Sequence, residues 1–343
     1  MNPIYPLSRA LLFRLDPEAA HGLSLATIAR VGRIPPLRAA LASVFSEPQA
    51  DPVEAFGLRF PNRVGLAAGY DKNGEAWRGL AALGFGHIEI GTVTPEPQPG
   101  NPKPRVFRLV EERSLINRMG FPGRGAAYVA EQLRGRTPGG PVIGVNIGKQ
   151  KSTALEEAAD DYEELIDVFG PLADYLAVNI SSPNTPDLRR LQERGFLEAL
   201  LGRIAARRDE VAERLGRRVP VLVKLAPDLT DEQLVNAVDA IVEAGIDGII
   251  ATNTTIGREG LEHALADEEG GLSGAALTDR STRIIATIHE HIGGVIPIVG
   301  VGGVMSPQDA RAKLDAGATL VQIYTGLVYE GPGLVKRILR NLA

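Results

Sequence analysis

The chain of 343 residues contains no cysteine. That absence excludes disulfides, thiolate metal sites, iron–sulfur ligation and a cysteine nucleophile or base from this chain. Aromatic residues are scarce, at 5% with a single tryptophan, so a large core has to be built from Val, Ile, Leu and Ala, as parallel sheets are. No long basic run is present and the formal net charge is −5, so no nucleic-acid partner is expected. Long hydrophobic runs are missing too. The longest stretch free of Asp, Glu, Lys and Arg, from His291 to Gln308, carries five glycines and two prolines and is too short for a bilayer span. Arg9 and Arg14 interrupt the apolar region that a secretory signal would need. His, Asp and Glu do not cluster at metal-ligand spacing, and five histidines offer no evident Ser-His-Asp set, so neither metal catalysis nor a serine triad is expected. A cytosolic or peripheral location follows.

What is present is patterned. Residues 1–45 stand apart, with Leu7, Leu11, Leu12 and Leu15 near helical spacing. Asp16-Pro17-Glu18 then has the form of an N-cap, a proline at the first helical position and an acidic first turn. His21, Leu25 and Ile28 share one face of the helix so begun; Pro35-Pro36 ends it, and Leu37, Leu41, Val44 and Phe45 follow. The spacing predicts a small helical module more apolar than a barrel requires. It reads either as a lid packed on the rest of the chain or as a surface that lies on a membrane.

From residue 63 onward, short apolar runs alternate with longer amphipathic ones. Strands are predicted at 63–68, 87–91, 142–147, 175–180, 221–225, 248–252, 297–300 and 320–324. Helices are predicted at 73–83, 124–134, 155–170, 193–216, 231–244, 279–291, 307–316 and 333–341. Eight strands each followed by a helix predict an α/β fold of the (β/α)8 TIM barrel type over residues 46–343, with residues 1–45 as an N-terminal helical extension. Connections 92–141 and 253–278 are too long for simple loops, and insertions after strands tend to carry function.

Polar residues stand where every strand ends. They are Gly69-Tyr-Asp-Lys72, Thr92, Asn146, Asn179, Lys224, Thr252-Asn253, Gly302-Gly303 and Tyr324-Thr325. In a barrel these positions converge on the face where active sites sit. Gly300-Val-Gly-Gly303 with Tyr324-Thr325 matches the phosphate site of the last two βα units, and Gly270-Gly-Leu-Ser-Gly274 offers a further backbone amide. Lys72 and Lys224, at strand ends, suit either a ligand's negative charge or Schiff-base work. Asn117, Asn179, Asn184 and Asn253 suit a flat, amide-rich heterocycle. Asn179-Ile-Ser-Ser-Pro-Asn-Thr-Pro186 holds Ser182 against a proline, either as a reacting group or within a turn that caps the strand. The set suits FMN with a lysine at the pyrimidine end of its ring, and it equally suits a Schiff-base aldolase using Lys224 or a non-catalytic binder of phosphorylated ligands.

Six motifs carry a resemblance. Gly65-Leu-Ala-Ala-Gly-Tyr-Asp-Lys72, Ile88-Glu-Ile-Gly-Thr-Val-Thr-Pro95, Asn117-Arg-Met-Gly-Phe121, Asn179-Ile-Ser-Ser-Pro-Asn-Thr-Pro186, Ala251-Thr-Asn-Thr-Thr255 and Val321-Gln-Ile-Tyr-Thr325 together resemble the quinone-linked, membrane-associated class 2 dihydroorotate dehydrogenases over essentially the whole chain. The resemblance implies oxidation of dihydroorotate to orotate for pyrimidine synthesis. In this class FMN accepts hydride from C6, a serine base removes the C5 proton, and a membrane quinone is the final electron acceptor. Ser182 occupies the base position, where soluble classes use the cysteine this chain lacks. By the same matching Ala67, Ala68, Gly69, Tyr70, Asp71, Lys72, Thr92, Asn146, Asn179, Lys224, Thr252, Gly274, Gly303, Tyr324 and Thr325 would contact one FMN per chain. Lys72, Asn117, Arg118, Met119, Gly120, Phe121, Asn179, Asn184, Asn253 and Thr254 would hold the substrate. His21, Arg108 and Tyr324 would lie near the quinone path, with residues 1–45 docking on the membrane. Tyr70 and Thr325 depart from the Leu and the frequent Ser of the family pattern. The implied location is peripheral, on the cytoplasmic side of the inner membrane, and a monomer is expected. Another FMN barrel oxidoreductase acting on a related pyrimidine or enoate is the alternative within the same fold.

Overall fold

The structure is a computed structural model that describes residues 4–47, 52–136 and 140–342, so the first three residues of the 1–45 module lie outside the described residues. Three helices come first, α1 (Ile4–Leu12), α2 (Pro17–Arg33) and α3 (Pro35–Phe45), followed by a hairpin of β1 (Val53–Ala55) and β2 (Leu58–Phe60). Then come β3 (Val64–Leu66), α4 (Trp77–Ala81), β4 (His87–Val93), β5 (Val106–Leu109), β6 (Ser114–Asn117), α5 (Gly125–Leu133), β7 (Val142–Ile147) and α6 (Ala158–Phe169). The second half runs β8 (Tyr175–Asn179), α7 (Arg194–Leu215), β9 (Val221–Leu225), α8 (Asp231–Glu243), β10 (Gly248–Ala251), β11 (Gly271–Gly274) and α9 (Thr278–Ile292). It ends with β12 (Ile298–Val301), α10 (Pro307–Asp315), β13 (Leu320–Ile323), α11 (Thr325–Glu330) and α12 (Gly333–Leu342).

The eight predicted strands are the barrel. β3, β4, β7, β8, β9, β10, β12 and β13 pair in chain order, all parallel, and β13 closes on β3 with Gln322 opposite Gly65. Their runs are buried on both faces because helices cover the outside and side chains fill the inside. Caps mark the helix starts. Asp16 Oδ1 accepts from Glu18 N and Ala19 N at 3.0 and 2.9 Å with Pro17 behind it, Thr230 and Gln233 form a capping box on α8, and Ser306 caps α10 before Pro307.

Two features lie beyond the sequence expectation. The β1–β2 hairpin closes the floor of the barrel, where Phe60 meets the His87 ring edge-on at 5.4 Å and Phe56 packs under Gly248. The two long connections also do not wander separately. They meet as a three-stranded antiparallel sheet, with β6 central and β5 and β11 beside it.

The N-terminal helices lie over the opposite, C-terminal face. α2 packs on α4 by backbone contact, since a Cβ on Gly32 would stand 2.3 Å from Gly79 N and one on Gly79 would stand 2.2 Å from Ile28 O. Arg105 fixes the start of α2 by a two-pronged pair with Glu18, at 3.1 and 2.7 Å. Tyr5 OH donates to Val328 O at 2.6 Å, and Arg9 donates to Tyr329 O at 2.7 Å, tying α1 to α11.

Candidate active site

At the C-terminal mouth of the barrel the strand ends surround a cavity of about 1010 Å³, its opening included. Of the residues singled out from sequence, Ala67, Ala68, Gly69, Lys72, Thr92 and Asn179 line it, as do Ser182, Asn184 and Lys224. Thr252, Asn253, Thr254, Gly274, Gly303, Tyr324 and Thr325 complete the rim contributed by the later strands. Asn117, Met119, Gly120 and Phe121 reach the same space from β6 and the segment after it.

Four expected residues do not reach the wall. Asp71 is fully buried and accepts from Glu75 N and Ala76 N at 2.9 and 2.8 Å, so it braces the turn after β3, and burial lifts its carboxyl to about 6. Tyr70 turns toward the N-terminal helices. Asn146 lies one layer beneath the wall, and Arg118 points outward to Glu268 at 2.7 Å with its guanidinium over the Phe107 ring. Asp71, Tyr70 and Arg118 therefore act from the scaffold side, and Asn146 acts through its neighbours.

Ser182 sits on the loop after β8, buried at 4% exposure, and its Oγ accepts the backbone N–H of Asn184 at 3.2 Å. That turn aims the hydroxyl and donates to its oxygen, which favours the ionised form. Arg189 clamps the loop from behind, donating to Ser181 O at 3.0 Å, Thr254 O at 2.9 Å and Asp228 at 2.8 Å. A guanidinium with three fixed acceptors ties the serine loop to the loop after β10. Asn184 in turn donates to Asn117 O at 3.1 Å.

The two lysines differ in setting. Lys72 donates to Gly69 O at 2.7 Å, and desolvation pushes its ammonium down to about 8. Lys224 is buried on β9; burial lowers its pKa, and the Glu89 carboxylate works in the opposite direction. No hydrogen-bond acceptor for Lys224 Nζ is found among the described residues. Gln322 Oε1 is likewise a buried acceptor without a donor among them. A planar ligand with an acceptor edge and an N–H would satisfy both groups, which is what the isoalloxazine of a flavin offers. At the other end of the cavity, Gly303 runs at φ +72° so close to α9 that a Cβ would stand 2.3 Å from Thr278 Oγ1. The backbone there packs against α9 as only glycine permits. The first N–H groups of α11, at Thr325 and Gly326, find no partner within the helix.

A second cavity of about 1400 Å³, opening included, lies between the N-terminal helices and the barrel and shares Lys72, Asn117, Met119, Ser273 and Tyr324 with the first. Its walls are chiefly apolar, from Phe13, Ile28, Val31, Leu41, Phe45 and Leu327. His21 and Arg108 line it, as expected from sequence, and Tyr70 joins them. Tyr324, Tyr70 and His21 stand edge to face in a row, with centroids 5.6 and 4.9 Å apart, leading from one cavity into the other. Burial holds the His21 imidazole near 3, so it is neutral. Among the described residues the one cluster spaced to hold a metal is Glu111, Glu112 and His263, at the surface and away from both cavities. Leu265 N donates to His263 Nδ1, which leaves the ring proton on Nε2, facing Glu111, and both ring nitrogens are thereby committed.

Residues 52–343 match the family model described as dihydroorotate dehydrogenase. A dihydroorotate dehydrogenase (quinone) from Leptothrix cholodnii is 52% identical, with 98% of each chain covered. The relative of the same name from Aromatoleum aromaticum is 49% identical over 98% of this chain and 94% of its own. Among solved structures, DHODH from Eimeria tenella in complex with ferulenol superposes with a TM-score of 0.87 at 38% identity, covering 95% of this chain and 90% of that one.

Proposed function

The chain belongs to the dihydroorotate dehydrogenase family, whose members are flavin-dependent enzymes, and from that premise we propose that it oxidises dihydroorotate to orotate with FMN and delivers the electrons to a membrane quinone. The observation that carries this reading is the pair of adjoining cavities, one polar and ringed by strand ends, the other apolar and roofed by the N-terminal helices. Family membership removes the aldolase reading of Lys224 and the non-catalytic one.

A bound flavin would supply the hydride acceptor for the substrate and the electron carrier to quinone. The chain's own residues do the rest. Ser182 Oγ takes the proton from C5 of the substrate while its own hydroxyl proton passes to water at the cavity opening; the Asn184 N–H that it accepts favours the oxygen that has given up that proton. Lys72 pairs with the substrate carboxylate, and Asn117, Asn184, Asn253 and Thr254 read its imide edge. Lys224 and Gln322 Oε1 would hold the pyrimidine edge of a flavin, the one as donor and the other as acceptor, and the Gly303 and Thr325 backbone would hold its phosphate. FMN suits this set better than a dinucleotide flavin, because nothing in the sequence resembles a dinucleotide fingerprint.

Residues 1–45 form the quinone-access and membrane-docking module of this reading, and 46–343 the catalytic barrel. Among the described residues no helix is long and apolar enough to cross a membrane. Seven of the ten large apolar side chains most exposed to solvent belong to α1–α3 or the turns beside them. That asymmetry supports peripheral docking on a membrane surface, which this reading assigns to the cytoplasmic side of the inner membrane. The deciding experiment is anaerobic addition of dihydroorotate to the purified protein. Bleaching of a bound yellow flavin, restored by a soluble quinone, is expected; a colourless protein, or a flavin indifferent to dihydroorotate, overturns the reading.

A further inference from the structure

One carboxylate beneath the cavity has entered so far only through its effect on Lys224. Glu89, at the middle of β4, is fully buried and points into the barrel. An ionised carboxylate inside a barrel costs several kcal/mol unless its lone pairs are met, so its partners are informative. Oε1 accepts from Asn146 Nδ2 at 2.8 Å, and Oε2 accepts from Gln322 Nε2 at 2.8 Å and from Tyr175 OH at 3.1 Å. An amide NH₂ only donates, so both Glu89 oxygens only accept.

Every later choice follows from that one. Asn146 has turned its NH₂ down to Glu89, so its Oδ1 faces up and accepts from Thr92 Oγ1 at 2.5 Å and Asn179 Nδ2 at 3.2 Å. Thr92 has spent its only proton, so its oxygen accepts from Asn179 Nδ2 at 2.9 Å. Asn179 has spent its NH₂, so its Oδ1 faces onward and accepts from Asn253 Nδ2 at 3.2 Å and Ser181 Oγ at 3.3 Å. Thr92, Asn179 and Asn253 line the cavity; Asn253 Oδ1 then takes the Thr254 N–H at 2.8 Å. The ladder runs one way, from an anion that cannot donate to the amides that meet the ligands.

We propose that Glu89 is a positioning residue that sets the donor and acceptor face of the cavity by fixing the orientation of Asn146, Thr92, Asn179 and Asn253. This inference rests on the dihydroorotate reading, since it assigns those amides to planar heterocyclic ligands. Glu89 acts through the ladder and touches neither substrate nor flavin. A glutamine in its place breaks the direction, because one of its two ends would point NH₂ at NH₂. In the holoenzyme relief comes by flipping Asn146, because flipping Gln322 instead would turn its NH₂ onto the flavin imide N–H; the flipped Asn146 turns its NH₂ onto Thr92 and Asn179 and reverses the rungs above.

The test is an exchange of charge between two rungs. In Glu89→Gln the flavin stays bound, while orotate affinity, followed by the shift it causes in the flavin spectrum, falls about ten- to a hundredfold, the cost of misdirecting one or two hydrogen bonds. In the double variant Glu89→Gln with Asn146→Asp, the introduced glutamine donates to the introduced aspartate and accepts from Tyr175 and Gln322. The second oxygen of that aspartate accepts from Thr92 and Asn179. Charge and direction are both kept, so orotate affinity recovers most of its loss. A residue that merely fills space would show no such recovery. Native orotate affinity in Glu89→Gln overturns the proposal. So does a double variant that fails to regain affinity, or fails to fold where the single variant also fails. If the wild-type holoenzyme itself shows no spectral response to orotate and no bleaching by dihydroorotate, the functional reading fails instead, so the two failures are distinguishable.

Discussion

Lys72 carries a pH dependence that its surroundings dictate. Desolvation holds the ammonium near 8 in the free protein, while a bound carboxylate would raise it. Affinity for an anionic substrate is therefore full below about pH 8 and decays above it, approaching tenfold per unit as the free site loses its proton. Orotate dissociation constants measured from pH 6.5 to about 9.5 check this; a flat profile contradicts it, and Lys72→Met should abolish the slope. Ser182→Ala removes the proposed base and should slow anaerobic flavin reduction by about 10² to 10⁴ without loss of flavin. A near-native rate would take Ser182 out of that role. Both residues were legible in the sequence because each stands at a strand end, next to glycine, proline or amides. Glu89 and Gln322 were not, although each is a polar residue within an apolar run. A strand ending tells which residues face the mouth, whereas a strand middle does not tell which side chain faces inward until the register of its neighbours is known.

The barrel strands could be read from the sequence because each is a short, continuous apolar run between turn residues. Trimming came from side chains. The helix expected from residue 73 starts only at Trp77, since Asp71 holds the N–H groups of Glu75 and Ala76 in a turn. The β5–β6–β11 sheet escaped notice because Ser114–Asn117 finds Gly271–Gly274 across four intervening barrel strands, and four-residue strands carry no period of their own. The β1–β2 turn was hidden for a different reason. Phe56 and Gly57 both take positive φ, at 54° and 74°, and phenylalanine stands where Asn or Asp usually announces such a turn. The seat of α2 on α4 yields a test at this scale. Gly79→Val forces a side chain into the backbone and side chain of Ile28, an overpacking that costs about 1–3 kcal/mol unless α2 lifts. Lifting α2 opens the second cavity and leaves the strand ends alone. Turnover with quinone should fall several-fold, while anaerobic bleaching by dihydroorotate keeps its rate; equal effects on both would show that the helix is not specific to the quinone route.

Taken whole, the molecule is uneven. The barrel presents a polar exterior laced with ion pairs, whereas α1 offers Leu7 at 73% and Leu11 at 66% exposure one helical turn apart, with Leu15, Leu23, Leu37 and Val44 exposed around them. Residues 1–45 carry five arginines against two carboxylates on a chain of net charge −5, so the apolar face is accompanied by the sign that anionic lipid attracts. In the proposed function, such a surface beside the mouth of an apolar cavity would let a quinone enter without crossing water. The double variant Leu7→Glu with Leu11→Glu isolates this property, because both side chains are exposed and their replacement should alter folding stability by no more than about 0.5 kcal/mol. Burying a leucine is worth about 1.5–3 kcal/mol, so losing two should weaken partition onto phosphatidylcholine vesicles containing a fifth of phosphatidylglycerol by about 10² to 10⁴-fold. Turnover with a long-chain quinone dissolved in those vesicles should fall in step, while turnover with a short, water-soluble quinone should not, since the cavity itself is untouched. Undiminished sedimentation with vesicles would mean that another face of the molecule meets the membrane, and a matching loss with the soluble quinone would mean that the leucines shape the cavity.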